Sequence, residues 1–518
     1  MVNAHFVFVI SLAVYVCLAL RWHWAVLLNT SPGSVGRLLE NTTGDEPHYI
    51  LIAMNLVNYY SPFIETTYRK VGWPIIDWHS ISAIDGHFVS VHGIGLPLLI
   101  AVPVKFAGAP GAALVSTVVM AATNFFVYKL VENYTRNRKI AFLTALIMAF
   151  STPMLVYSIG VWTEIYAGLI ITFATYEFLY VPTTRSRAAL LGVVLGYLPL
   201  LRYDYLILSL IIGAYGVFFK LRKKKPELIL FAVGMLAMFS AVPIYQLIAF
   251  GNPFAMTNRF QLIYHFPAGM LVGAAGQLVD GVHGLFIYAP LFYLLILGLP
   301  FFLRKLDGKI VAAIVCTEWL LMSSWVDWLG GWSYASRHLV AVMPLLSLPL
   351  AETIQRFGAK KMFVLSAAIL VIYGILVNSV SLYFRTWGGY SVMWISRRLL
   401  AGFNVLDILP KLSPPILLYL ASWPTISLPP TYDWIVISVT LFLIPFAYFL
   451  RRVRRGYLRL TLSLTSVLWD LSLLYISLNI TSWSGFALLS NEIPADALFL
   501  LGVAAAAGTV IVGFSHPK

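Results

Sequence analysis

Apolar residues run along the chain in long blocks, broken at intervals by charged or Pro/Gly-rich connections. The blocks are about 18 to 24 residues long, the length an α-helix needs to cross about 30 Å of hydrocarbon. Fourteen spans are predicted, at about 4–20, 110–131, 140–158, 161–181, 187–201, 204–219, 227–250, 284–303, 310–328, 338–354, 361–382, 433–450, 459–479 and 496–513. The first is followed by Arg21 with no small-residue cleavage pattern close behind, so it reads as a retained anchor. The fold class is all-α, a polytopic membrane protein and not a β-barrel. The apolar stretch 93–108 carries Pro97, Pro103 and Lys105, and is expected to be re-entrant or interfacial.

Three polar segments are long, at about 29–92, 251–283 and 383–432. Numbering the spans from a cytoplasmic N-terminus puts them all outside, and every second connection is then basic. These connections are Arg136/Arg138/Lys139, Arg185/Arg187, Lys220/Arg222/Lys223/Lys224/Lys225, Arg304/Lys305/Lys309, Arg356/Lys360/Lys361 and Arg451/Arg452/Arg454/Arg455/Arg459. With Lys129 and Lys518, these inner connections hold 23 of the 35 Lys and Arg residues, although the outer loops are longer. That asymmetry is the positive-inside signature. Within the first outer loop Tyr49, Ile52, Ala53, Leu56 and Tyr60 recur at helical spacing after Pro47, predicting a short amphipathic helix lying on the membrane.

Composition supports the membrane reading: 60% of residues are hydrophobic and 11% charged. The net charge of +14 would suit nucleic acid in a soluble protein, but here it follows from orientation and lipid head groups. Cys17 and Cys316 both lie in apolar runs and support neither a disulfide framework nor a metal site. There is no Walker sequence and no dinucleotide fingerprint, so energy for any reaction must arrive with the substrate.

The first outer loop is dense in titratable groups: Asp45, Glu46, Glu65, Asp77 and Asp85, with His48, His79, His87 and His92 among them. Asp45 and Glu46 precede Pro47, where an acidic residue can cap a helix. A carboxylate partly screened from water can equally serve as a general base toward a hydroxyl. Gly330, Gly331 and, six residues on, Arg337 and His338 lead into a predicted span. This is either an interfacial loop with a snorkelling arginine or an anion site made by a helix N-terminus and a bidentate guanidinium. Glu164, Arg202 and Asp204 fall at outer span ends, as caps, as a mutual pair, or as site residues. His48, His265 and His283 share no ligand spacing and read as structural. The outer carboxylates lack the close pairing with neutral oxygen ligands that hard cations require, so no metal or other cofactor is expected.

The loop Gly44-Asp45-Glu46-Pro47-His48-Tyr49, the following His92-Gly93-Ile94-Gly95-Leu96-Pro97-Leu98 and the late Gly-Gly turn ending in arginine together resemble the GT-C superfamily. These are integral membrane glycosyltransferases that use polyprenyl-phosphate sugars, including protein O-mannosyltransferases and aminoarabinose transferases. The resemblance divides the chain into a transmembrane catalytic region at 1–430 and additional helices at 431–518. It lacks the long soluble C-terminal domain of several members. It implies that Asp45 is the base, supported by Glu46, and that Arg337 and His338 meet the donor phosphate. Substrate contacts are expected from among His48, Tyr49, Glu164, Arg202, Asp204 and Lys105.

The expectation is an inverting glycosyltransferase of the plasma or inner membrane, acting on the extracytoplasmic face. It would move a sugar from a polyprenyl-phosphate carrier to a hydroxyl on a glycan, lipid or protein, among membrane lipids and without nucleic acid. The alternative is a multi-helix transporter or lipid flippase, which would place its charges near the midplane, often in two related halves.

Overall fold

The computed structural model describes residues 3–28, 42–72, 75, 79–255, 268–279, 283–325, 328, 330–331, 333–335 and 337–383. The predicted outer segment from 384 to 432, the last three predicted spans, the stretches 256–267 and 280–282, Asp77 and His265 lie outside the described residues.

Within them the apolar blocks are helical, but the predicted span 284–303 is broken into Leu285–Tyr288, a 3₁₀ turn at Pro290–Leu294 and Leu295–Phe302, 227–250 divides into Lys225–Phe239 and Ala241–Phe250, and the α-helix of 338–354 begins only at Ser347. Helices cover Ala4–Leu28, Thr163–Tyr180, Arg185–Leu201, Tyr205–Gly216, Leu306–Ser323 and Lys361–Tyr383. Ala4–Arg21, Gly95–Thr135, Lys225–Phe250 and Lys361–Ser379 are long and apolar enough to cross a membrane unaided. Their outward faces stay apolar, with Ile229 and Leu236 more than 60% exposed, as suits contact with lipid.

Three further expectations change. The stretch 93–108 is not a separate re-entrant piece. It is the first part of a helix, Gly95–Thr135, interrupted at Gly108 with φ 59° between Pro103 and Pro110. A prolyl ring removes a backbone donor and crowds the preceding turn, so the helix bends there and does not end. The helix after Pro47 exists, over Glu46–Tyr59, but it does not lie on a surface: Glu46 to Ala53 are buried and pack against Gly95–Thr135. The fold is also not purely helical, because Ser80–Ser82 and Phe88–Ser90 pair as an antiparallel hairpin, Ile81 opposite Val89. Asp85 and Gly86 at its tip have φ of 54° and 76°, the left-handed pair that tightens a hairpin.

The long Gly95–Thr135 helix is the axis of the bundle, packing against Ala4–Leu28, Arg138–Phe150 and Thr163–Tyr180. Its buried face is small, with Ala112, Ala113, Ser116 and Ala121, which lets neighbouring backbones approach. Asn124 on that face donates to Tyr15 Oη at 2.8 Å, and Tyr15 donates to the carbonyl of Ala149 at 3.0 Å. Three helices are thereby tied by polar contacts deep in apolar surroundings, each contributing about 0.6 to 2 kcal/mol.

Helix ends collect at two poles. At one, Tyr134, Lys305 and Arg356 converge on Glu352, and Tyr180 donates to Asp307. At the other lie Asp45, Glu164, Arg202, Asp204 and Arg337.

Candidate active site

Asp45 precedes the Glu46–Tyr59 helix with φ −81° and ψ −12°, and its side chain makes no capping hydrogen bond. Instead it accepts from Arg337 Nη2 at 2.5 Å, across 292 positions of sequence. The capping explanation for Asp45 therefore does not hold. Glu46 has other partners, its Oε2 accepting from Thr43 N at 2.9 Å and its Oε1 from Val161 N at 2.7 Å. Glu46 is thus a buried clamp between the start of its own helix and the turn before Thr163–Tyr180. It does not stand beside Asp45 as a second base.

That clamp positions Arg337. The turn held by Glu46 carries Trp162, and the Arg337 guanidinium lies over its ring at 4.4 Å. Arg337 also donates through Nε to Glu164 Oε1 at 2.9 Å and through Nη1 to the Gly330 carbonyl at 3.3 Å. Gly330 has φ 83°, and a Cβ there would meet Arg337 Cβ at 3.1 Å, so only glycine makes this turn so close to the arginine. The predicted anion site at a helix N-terminus is corrected in one respect. Arg337 opens a single 3₁₀ turn, Arg337–Leu339, and the next helix begins at Ser347. Positive charge comes from the guanidinium, not from a helix end.

Glu164 Oε1 is shared, because Arg202 Nη1 donates to it at 2.7 Å. Arg202 also grips Asp204, Nε to Oδ1 and Nη2 to Oδ2 at 3.1 Å each, and directs Nη1 toward His338 Nδ1 at 3.4 Å. The mutual pairing read for Arg202 and Asp204 is real, and the pair is joined through Glu164 to Arg337. Burial opposes the charge on Arg337, but Asp45, Glu164 and Tyr49 outweigh it and hold its pKa well above the usual arginine value. Arg202 behaves alike, with burial outweighed by Asp204, Tyr205 and Glu164.

The glycines of His92-Gly93-Ile94-Gly95 bring the hairpin to this cluster. A Cβ on Gly93 would lie 2.4 Å from the Leu201 carbonyl oxygen, and one on Gly95 would lie 2.6 Å from the Leu200 carbonyl carbon. The backbone before Gly95–Thr135 can press against the turn of Arg202 only without side chains. His92 and His79 then flank Asp45, with Nδ1 atoms at 3.8 and 3.9 Å from its oxygens, and His79 Nδ1 is 3.0 Å from His92 Nε2. Each of the three offers a ligand atom within 4.8 Å of the others. A carboxylate with two imidazoles is a donor set for zinc and similar ions, a convergence the spacing of these residues did not reveal. His48 stacks on His79 at 3.9 Å and pairs with Tyr68 Oη at 2.8 Å. The Tyr49 and His92 rings lie 4.9 Å apart, and burial first, then Asp45, push the Tyr49 phenol up, so it stays protonated.

Of the predicted residues, Lys105 is not brought in: it is exposed on the Gly95–Thr135 helix, without an ion pair or hydrogen bond among the described residues. Sequence reasoning missed Trp162, the convergence of His79 and His92, and Glu318, which is fully buried near Arg202, Asp204 and Glu164. A lone acidic residue inside an apolar span was the signal available for Glu318.

No protein-family model matches the chain, and no curated protein matches it. Among solved structures, the chain is similar to ArnT from Cupriavidus metallidurans in the apo state, at 11% identity and a TM-score of 0.45, over 96% of this chain and 76% of that one. It is similar to the same protein bound to undecaprenyl phosphate at 12% identity and a TM-score of 0.42, over 95% and 76%. These are likenesses of overall course, and the chemistry of this chain rests on its own residues.

Proposed function

We propose that the protein is a membrane glycosyltransferase that moves a sugar from a polyprenyl-phosphate carrier to an acceptor hydroxyl, with Asp45 as general base. The observation that carries this is the buried Arg337 and the partly buried Arg202 sharing Glu164, Arg337 also bonded to Asp45, at one end of an otherwise apolar helical bundle. Two cations at a bundle end can bind a lipid phosphate while its prenyl chain lies along apolar helices. A transporter would instead place its charges near the midplane.

The donor phosphate competes with Asp45 for Arg337. Once displaced, Asp45 loses its strongest counter-ion, becomes more basic and takes the proton of the acceptor hydroxyl as that oxygen attacks the anomeric carbon. The bond from that carbon to the phosphate oxygen breaks, and the electron pair leaves with the phosphate. The developing charge is met by Arg337, an electrostatic role that commonly contributes most to lowering a barrier. Glu164, itself anchored by Arg202, holds Arg337 in place. A single displacement inverts the anomeric carbon. His79 and His92, next to Asp45, carry its proton onward. The cluster faces the extracytoplasmic side, with the basic pole and the N-terminus in the cytoplasm.

Binding of undecaprenyl phosphate to the full chain tests this reading. Arg337→Ala should weaken binding at least tenfold, about 1.4 kcal/mol. Arg337→Lys, which keeps the charge among Asp45 and Glu164 but not the bidentate fork, should recover only part of it. A lysine variant that binds and turns over as the wild type does would reduce Arg337 to a structural ion-pair partner.

A further inference from the structure

Part of the cluster is not used by the transfer chemistry. Glu318, in the Leu306–Ser323 helix, is 0% exposed, and neither of its oxygens finds a hydrogen-bond partner among the described residues. The phenol oxygen of Tyr205, equally buried, is in the same condition. The helices that carry them pack together, and the Leu306–Ser323 helix also meets the Arg337 turn. Met322 lies one turn after Glu318 on the same helix face, and its Sδ accepts from Arg202 Nη2 at 3.4 Å, so that face is turned to Arg202. Arg202 lies over the Tyr205 ring at 5.3 Å. It cannot satisfy Glu318, because its donors are committed to Asp204, Glu164, His338 and Met322.

A buried polar group without a partner costs about 1 to 3 kcal/mol, and two adjoining the arginine cluster call for a ligand that completes them. We propose that Glu318 and Tyr205, with the partly open Asp204 at the edge, form a sugar-hydroxyl subsite that holds the donor's sugar ring while Arg337 holds its phosphate. This rests on the donor reading above and adds what is recognised. The carboxyl groups accept hydrogen bonds from ring hydroxyls, and the phenol both accepts and donates. The charge on Arg202 is already matched by Asp204 and Glu164, so the subsite suits a neutral polyol and disfavours a second anion.

The test compares the full chain's affinity for bare undecaprenyl phosphate with that for the same lipid carrying glucose, mannose or arabinose. The wild type should bind at least one sugar-bearing lipid about tenfold tighter than the bare one. Glu318→Leu should abolish that gain, leave the affinity for the bare lipid unchanged, and keep or raise the melting temperature, since an unpartnered carboxyl is removed. Tyr205→Phe, which deletes one oxygen, should lose part of the gain. A gain retained in Glu318→Leu, or no gain with any sugar in a wild type that binds the bare lipid, overturns the subsite alone. A variant that melts lower and loses both affinities makes Glu318 structural and overturns it as well. A wild type that binds no form of the lipid overturns the donor reading, and the subsite with it.

Discussion

The two poles of the bundle use the same side-chain types to different ends. At the basic pole one buried carboxylate, Glu352, is fully served: Lys305 at 2.9 Å, Tyr134 at 2.6 Å and Arg356 close by. Lys305 and Arg356 are themselves 45% and 39% exposed, so water shares the work of neutralising them. At the acidic pole the ratio is reversed. Asp45, Glu164, Asp204 and Glu318 face two arginines that are only 8% and 13% exposed, and Glu164 Oε1 is divided between both. A satisfied cluster at helix ends locks helices together. One with more carboxyl groups than cations, and with a buried acid left unpaired, is arranged for something other than stability.

Removing the shared acid should have the largest effect. Glu164→Ala leaves two largely buried guanidiniums facing one another, and unfolding free energy should fall by about 3 to 5 kcal/mol, read as a lower melting temperature in detergent. The same change at the other pole should cost less. In Glu352→Ala the freed Lys305 and Arg356 return to water, so the loss is about 1 to 2 kcal/mol, and donor affinity and turnover are unchanged. An equal loss at both poles, or a turnover defect in the Glu352 variant, would erase the distinction. Chelation should have the smallest effect. Arg337 and Arg202 supply the charge that a metal would otherwise provide, so turnover should persist in EDTA. Loss of turnover restored by zinc would make Asp45, His79 and His92 metal ligands.

Much of the bundle was legible because span length is a strong signal: the Lys361–Tyr383 helix lies within a residue of its predicted bounds. The hairpin was hidden because its strands are three residues each and the Asp85-Gly86 pair that announces it only two, while the helical repeat after Pro47 is the stronger pattern in the first loop. Asp45, in the first polar loop, and Glu164, Arg202 and Arg337, at predicted span ends, were each visible as ionisable residues. Their mutual bonding was not, since it depends on how spans separated by 38 to 292 positions pack. Asp45 and Glu46 could not be told apart by neighbourhood: adjacent on a helix start, they point to different partners. Lys105 misled because a lysine near a proline in an apolar stretch looks like a site residue, whereas on a helix facing outward it can extend to the membrane surface.

The central claim is that Asp45 is held by Arg337 until a phosphate displaces it, and then accepts a proton. Asp45→Asn tests it most directly, with donor affinity, melting temperature and turnover measured on one preparation. The amide keeps the size of the side chain and loses the negative charge that competes for Arg337, so undecaprenyl phosphate should bind as tightly as before or more tightly. Transfer should fall at least 10²-fold, about 3 kcal/mol in the barrier, because the acceptor hydroxyl has lost its base. Normal turnover in Asp45→Asn, or donor binding that weakens together with turnover, would contradict the account.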